Sequence, residues 1–141
     1  MRHENNVRLS DYQALAEFRY QIRRFLRFSE QMARSTGLEP QQYQALLAVK
    51  GLPNEKKATV GECAERLQLQ HHSTVELLDR LAERGFIERQ RDAEDQRRVL
   101  ISITAEGEEI LQRLAEASLI ELRSSGPMLV QTLVTLIEDE V

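Results

Sequence analysis

The chain has 141 residues, of which 41% are hydrophobic and 30% are charged, and its formal net charge is −4. This length fits one compact domain, or one domain with an oligomerisation appendage, and the hydrophobic content excludes wholesale disorder. The net charge excludes a uniformly basic nucleic-acid-binding surface, but the charges are unevenly distributed. Residues 1–36 carry seven basic and four acidic side chains, whereas residues 101–141 carry two basic and eight acidic ones.

The single cysteine, Cys63, excludes an internal disulfide framework and any zinc site built from several cysteines. No apolar run approaches the roughly 20 residues that a membrane-spanning helix needs. The first residues also lack the hydrophobic core of a signal peptide. We therefore expect a cytoplasmic protein without a membrane partner.

Helix-boundary signals divide the first third of the chain. The spacing of Ser10 and Gln13 predicts a capping box at the start of a long first helix, and Gly37 is predicted to end that helix. Pro40 is predicted to start a second helix, which stops at Gly51.

The middle of the chain predicts two shorter helices separated by a turn. Thr59 and Glu62 have capping-box spacing and predict the start of the third helix. A break at residues 68–70 leads to a fourth helix from about His71 to Glu83. Four of its positions share one face and are predicted to point inward: Thr74, Leu77, Leu78 and Leu81.

After the fourth helix, the spacing of the hydrophobic residues changes from a helical period to the alternation of a β-strand. Two runs with β-branched residues, 86–91 and 98–103, predict the strands of a hairpin, and the polar residues 92–97 predict its tip. Thr104 is predicted to cap a further helix, and the Ser-Ser-Gly-Pro sequence at 124–127 is expected to separate it from a last helix. The predicted fold is mainly α with a small β-hairpin wing, a winged helix-turn-helix. Apolar positions left over on the outer helices predict a homodimer.

Residues 59–107 resemble the MarR (multiple antibiotic resistance regulator) family of winged helix-turn-helix transcriptional regulators. The residues that carry the resemblance are Leu78–Leu81, Glu83–Arg89, Arg91, Asp92, Asp95, Arg97, Arg98, Thr104 and Gly107. The resemblance implies one MarR-like domain over residues 1–141, with a DNA-binding part at 38–103 and dimerisation helices at 10–36 and 104–141. It also implies a ligand-responsive repressor that binds double-stranded DNA at a pseudo-palindromic operator.

The fourth helix would then be the recognition helix in the major groove. Glutamate can accept a hydrogen bond from the amino group of cytosine, and valine can contact the methyl group of thymine. Arg80, like Ser73, is a candidate for a phosphate contact. An open alternative is that this polar face is only solvated. The candidates for base contacts are His72, Ser73, Val75 and Glu76.

The predicted wing carries a second set of candidates. An arginine at a wing tip can insert into a narrow minor groove, and a carboxylate two residues earlier can hold its guanidinium in place. By resemblance, Arg97 is the minor-groove residue and Asp95 its positioning residue, with Arg91 and Arg98 near the phosphates. The alternative is a surface ion pair with no partner in DNA.

Other candidate residues favour structural roles. Cys63 is expected to be a small core residue. His71 and His72 diverge on a helix and His3 is remote in sequence, so we expect no metal site, and we expect no cofactor. The arginine stripe Arg19, Arg23 and Arg27 is either a solvated face or, as the resemblance would allow, the border of a site for an anionic or aromatic effector between the dimer helices and the DNA-binding part.

Two other classes of function remain open at this stage. A winged-helix module that binds protein and not DNA is favoured by the net charge and by the acidic residues of the fourth helix. A small-molecule-binding protein or enzyme is the other alternative, but the sequence lacks a phosphate-binding loop, a nucleophile elbow and a zinc-protease motif. The prediction is therefore a regulator and not an enzyme.

Overall fold

The computed structural model describes residues 6–138, in which five α-helices accompany one antiparallel hairpin. The predicted class, mainly α with a small β-hairpin wing, is confirmed. Among these residues, no helix is both long enough and apolar enough to cross a membrane. In chain order the elements are α1 (Leu9–Ser35), α2 (Pro40–Lys50), α3 (Val60–Leu67), α4 (His71–Glu83), β1 (Ile87–Arg91), β2 (Val99–Ile103) and α5 (Ala105–Glu138).

The chain forms two compact units. One consists of the described residues up to Glu30 together with those from Ala117 onward, and the other spans Gln31–Glu116. Helices α1 and α5 contribute residues to both units. The second unit contains the helix-turn-helix and the hairpin, and its core is formed by Ala33, Leu38, Tyr43, Ala45, Leu46, Cys63, Leu77, Leu78, Leu81, Ile87, Ile101, Ile110, Leu111 and Leu114.

The helix-turn-helix is held by local backbone bonds and by the Thr59 half of the predicted capping box. Thr59 Oγ1 accepts a hydrogen bond of 3.2 Å from the backbone N–H of Glu62, which satisfies one free donor at the start of α3. After α3, Gln68 adopts a left-handed conformation with φ of 55°, and the N–H of Leu69 donates back to the carbonyl of Ala64 at 3.0 Å. The chain then turns directly into α4.

The start of α1 differs from the sequence prediction. The helix begins at Leu9, so Ser10 lies inside it and is not its N-cap. Asp11 instead accepts a hydrogen bond of 2.9 Å from the backbone N–H of Arg8. A carboxylate is a strong acceptor for a free N–H group at a helix start, and this interaction moves the boundary by one residue.

The predicted break at residues 124–127 is wrong, because α5 continues to Glu138 with Pro127 inside it. Proline removes the hydrogen bond to the carbonyl four residues earlier, here that of Arg123, and its ring crowds that carbonyl. Arg123 and Pro127 are both exposed, so water can hydrate that carbonyl. The Ser125 hydroxyl also donates a hydrogen bond of 3.0 Å to the backbone carbonyl of Glu121, one turn earlier in the same helix. One long helix therefore stands where two were predicted.

The hairpin and α5 meet at a corner built around Thr104 and Gly107. Thr104 caps α5 as predicted, because its Oγ1 accepts a 3.0 Å hydrogen bond from the N–H of Gly107 and donates a 2.6 Å bond to the carbonyl of Gly85. The backbone N–H of Thr104 also donates to the carbonyl of Phe86 at 3.1 Å. A Cβ atom on Gly107 would lie 2.3 Å from that same Phe86 carbonyl oxygen and 2.7 Å from Cγ2 of Ile103.

We expect Gly107→Ala to lower the free energy of unfolding by about 1–3 kcal/mol, because the added methyl group meets backbone that must shift. Gly61→Ala is the matched control. Its Cβ would lie at an ordinary 3.9 Å from Thr59 Oγ1, and we expect no loss or a gain of up to about 1 kcal/mol. Urea unfolding followed by circular dichroism measures both changes. Equal stability of the two variants would contradict the close approach at Gly107.

Candidate nucleic-acid interface

The tip of the wing presents one arginine in a fixed orientation. Arg97 donates from Nε to Oδ1 of Asp95 at 3.0 Å and from Nη2 to Oδ2 at 3.2 Å, and its backbone N–H donates to Oδ1 at 3.1 Å. The Arg97 side chain is nevertheless 90% exposed. The guanidinium of Arg97 holds the pKa of Asp95 below its usual range, so the carboxylate stays charged. The structure thus brings together the two wing residues predicted from the sequence.

The base of the wing contains a buried carboxylate. Asp92 is 2% exposed and is bound by donors from three places in the chain. Its Oδ2 accepts from Lys57 Nζ at 3.1 Å and from Arg98 Nη2 at 2.9 Å, and its Oδ1 accepts from the backbone N–H of Glu94 at 2.9 Å. The N–H of Glu94, followed by Lys57, lowers the pKa of Asp92. Hydrogen bonds to Glu94 and then to Asp92 raise the pKa of Lys57.

The sequence placed residues 92–97 at the hairpin tip because of their polarity, but it gave no prediction that Asp92 is buried there. An aspartate that bonds the backbone N–H two residues later is a common turn signal, and the Asp92–Glu94 spacing offered it. The ion pair with Lys57 had no such signal, because the two residues are far apart in the sequence. Arg98, predicted to lie near phosphates, has its guanidinium engaged by Asp92 while its side chain stays 44% exposed.

Arg91 supports the wing tip from the other strand. Its Nη1 donates to the backbone carbonyl of Gln96 at 2.8 Å. The hairpin register pairs Arg91 with Val99, so this bond crosses the tip just beyond the last paired residues. The residues on both sides of Arg97 are therefore held by hydrogen bonds. Arg91 binds the carbonyl of Gln96, and Asp92 binds the guanidinium of Arg98.

Helix α4 presents the predicted outward face. His72 and Glu76 are exposed, Ser73 and Val75 are half-buried, and the four predicted inward residues are all buried. The exposed Arg80 lies with its Nη2 3.8 Å from Oε1 of Glu39, at the start of α2.

Three further ion pairs lie on the helix-turn-helix and beside it. Arg89 on β1 forms an ion pair with Asp79, which offsets one of the acidic charges of the helix. In α3 and the loop before it, Glu62 lies 3.4 Å from Lys56 Nζ and 3.8 Å from Arg66 Nε. Lys56 and Arg66 were missed by the sequence reasoning, which considered α4 and the wing alone. They are partly exposed cations on the first helix of the helix-turn-helix and its leading loop.

The other predicted sites have the following positions. Arg19, Arg23 and Arg27 lie on α1. None of the three lines the cleft of about 570 Å³ in the same unit, whose walls include Gln21, Arg24, Phe25, Leu122, Pro127 and Leu129. Residues 6–138 bring no three His, Cys, Asp or Glu side chains together in a metal-binding arrangement. His3, which the sequence reasoning considered as a ligand, lies outside the described residues.

Comparison with known proteins supports the resemblance found in the sequence. A model of the MarR family matches residues 36–98, which cover the helix-turn-helix, β1 and the wing tip. Over these residues the chain is similar to the MarR family. The resemblance found in the sequence is therefore confirmed.

Individual relatives agree with the MarR assignment. The HTH-type transcriptional regulator YfiV of Bacillus subtilis is 32% identical over 78 residues, which are 55% of this chain and 49% of YfiV. The match thus spans about half the length of that relative. The structure of a MarR family protein from Bacillus stearothermophilus has a TM-score of 0.70 at 24% identity, covering 80% of this chain and 76% of that one. A mutant MarR from E. coli, complexed with operator DNA, has a TM-score of 0.66 at 20% identity, covering 86% and 88%.

Cys63 is buried in the helix-turn-helix core, as predicted. Burial raises the pKa of its thiol to about 11, and the negative charge of Glu62 contributes in the same direction. A raised pKa leaves only about one thiol in ten thousand ionised at neutral pH, and the thiolate is the reactive form.

We expect native protein at neutral pH to react with a thiol reagent such as dithionitrobenzoate at least about 100-fold more slowly than protein unfolded in guanidinium chloride. The absorbance of the released thiolate gives both rates. Rapid labelling of the native protein would contradict a buried, protonated Cys63.

Proposed function

We propose that this chain is a transcriptional regulator that binds double-stranded DNA as a homodimer at a pseudo-palindromic operator. The observation that carries the proposal is the exposed Arg97 guanidinium, oriented by Asp95 at the tip of a MarR-type wing. Support comes also from the fold shared with E. coli MarR, which has been crystallised with operator DNA. In this proposal α4 enters the major groove, and two copies read half-sites about 34 Å apart.

In this proposal, helix α4 and the wing make different contacts with DNA. On α4, His72, Ser73, Val75 and Glu76 are the candidates for base edges, and Arg80 is a candidate for a phosphate. At the wing, Arg97 enters the minor groove, where a narrow A·T-rich segment concentrates negative potential. Arg91 and Arg98 lie beside it as further candidates for the phosphates.

Exposed apolar residues support the homodimer. They lie on α1 and on the C-terminal part of α5, where a monomer would leave them in water. A second copy that packs through the helices at 10–36 and 104–141 would cover them. They include Leu9, Tyr12, Leu15, Tyr20, Leu119, Ile120, Met128, Val130, Val134 and Ile137.

The proposal includes the regulation of DNA binding by a small molecule. The protein would act in the cytoplasm as a repressor by occupying its operator, and an anionic or aromatic effector would release it. Such an effector works only through different affinities for the DNA-binding and released states. The proposed activity is binding and not catalysis, in agreement with the transcriptional regulators that this chain resembles. None of these comparisons supports the alternative of a winged-helix module that binds protein only.

We expect Arg97→Ala to weaken operator binding about tenfold or more, because the wing loses its minor-groove cation. Fluorescence anisotropy with labelled DNA from upstream of the protein's own gene measures the affinity, with scrambled DNA as the comparison. Light scattering should show the same dimer for both proteins. Lys50→Ala, which removes an exposed cation at the end of α2, is the matched control and should bind like the wild type. Equal affinity of Arg97→Ala and wild type would refute the role of the wing.

We expect Glu76→Gln to alter the preferred operator sequence more than the total affinity. An amide both donates and accepts, whereas a carboxylate only accepts, so the preference for cytosine at one position should weaken. Selection from a randomised DNA library, followed by sequencing, measures the preference. An unchanged preference would remove Glu76 from the base-reading residues.

A further inference from the structure

We propose that Asp92 is a positioning residue that holds the wing tip, and with it Arg97, in the orientation that DNA requires. The inference rests on the proposed function and adds to it a residue that does not itself meet the nucleic acid. Of the wing's four acidic residues, Glu88 and Glu94 are exposed, Asp95 is half-exposed and Asp92 alone is buried.

Asp92 joins three segments of the chain. Lys57 belongs to the segment before α3, while Glu94 and Arg98 lie on the two sides of the wing tip. Two backbone hydrogen bonds also connect these residues. The N–H of Asp92 donates to the carbonyl of Arg98 at 3.0 Å, and the N–H of Arg98 donates to the carbonyl of Asp95 at 2.9 Å. The carboxylate thus lies where the tip meets the helix-turn-helix.

The Lys57 end of this connection is itself fixed to the wing. The backbone N–H of Ile101, on β2, donates to the carbonyl of the neighbouring Ala58 at 2.8 Å. The N–H of Thr59, which caps α3, donates to the carbonyl of Lys57 at 2.9 Å. Lys57 is therefore attached to the hairpin on one side and to the start of α3 on the other. A salt bridge from this position transmits the placement of α3 to the wing.

The bond between Asp95 and Arg97 cannot perform this task. Both residues belong to the tip, so their contact sets the guanidinium relative to the tip but not the tip relative to α4. It is also largely exposed, and exposed ion pairs contribute little to the free energy of a conformation. The Asp92 carboxylate is buried with two cations and one backbone donor, and removal of a partner from such a group is costly.

Loss of the Asp92 contacts should free the tip before it unfolds anything else. A mobile tip must be ordered again when DNA binds, and that ordering reduces affinity. The effect of Asp92 on DNA binding should therefore pass through Arg97. It should disappear when Arg97 is absent.

The test compares Asp92→Asn with Glu94→Gln, which removes the exposed charge that contacts the same lysine at 2.8 Å. The first readout is amide hydrogen exchange by NMR in the free protein. We expect Asp92→Asn to speed exchange of the Arg98 amide about tenfold or more, while that of Leu78 in α4 stays unchanged. Glu94→Gln should leave both rates near those of the wild type. Unchanged exchange at Arg98 would overturn the proposal, whether or not the protein binds DNA.

The second readout is a double-mutant cycle on operator affinity. We expect Asp92→Asn to weaken binding about tenfold in the wild-type background and less than about twofold in the Arg97→Ala background. An equal loss in both backgrounds would show a general structural effect and overturn the proposal. If the wild type bound operator and scrambled DNA alike, the proposed function would fail on its own, and the exchange rates would still decide whether Asp92 holds the tip.

Lys57 provides a second pair of variants that does not depend on the folding of Asp92→Asn. Lys57→Met should reproduce the faster exchange at Arg98, because it leaves Asp92 without one of its two cations. Lys57→Arg should restore protection to within about threefold of the wild type, since the charge and the donor return. Failure of Lys57→Met to change the exchange at Arg98 would count against the proposal.

Discussion

A two-stranded hairpin buries too little surface to hold its own shape in water, so the wing depends on the helices beneath it. Ile87 on β1 and Ile101 on β2 supply that surface, because both are buried in the same core as α2, α3 and α4. The corner after β2 adds a second constraint, since α5 starts so close to Phe86 that only glycine fits at position 107. The position of the hairpin tip therefore depends on the packing of residues at the base of the hairpin.

Electrostatics then separate the two halves of the proposed DNA-binding surface. Helix α4 has acidic residues on its face, with Arg80 drawn toward Glu39 and Asp79 paired with Arg89. The tip has an exposed arginine, and the carboxylate that binds it also aligns it. A helix of this kind is suited to discriminating bases through acceptors and apolar contacts, and the attraction to phosphates has to come from the wing and from cations such as Lys56 and Arg66. This division also explains how a chain with a net charge of −4 can carry the proposed nucleic-acid interface.

The sequence predicted those features that depend on neighbouring residues. The caps at Thr59 and Thr104, the end of α4 and the two strands are signals within a few residues, and each is present. The Asp95–Arg97 pair spans only two residues and was predicted for the same reason. The break at residues 124–127 was wrong because proline disfavours a helix by a limited amount, which the surrounding helical turns overcome. At the start of α1, the carboxylate of Asp11 outweighed the weaker signal of Ser10.

By itself, the sequence determined the order of the elements up to β2, the inward face of α4 and the resemblance to the MarR family, because periodicity, caps and motif spacing are local properties of a chain. Only the tertiary structure decided that Asp92 is buried, that Lys57 reaches it and that Gly107 has no room for a methyl group. Each of these depends on atoms from separate segments of the chain that meet once the core has packed. The orientation of the wing is therefore a property of the folded unit, even though the arginine that it presents was visible in the sequence.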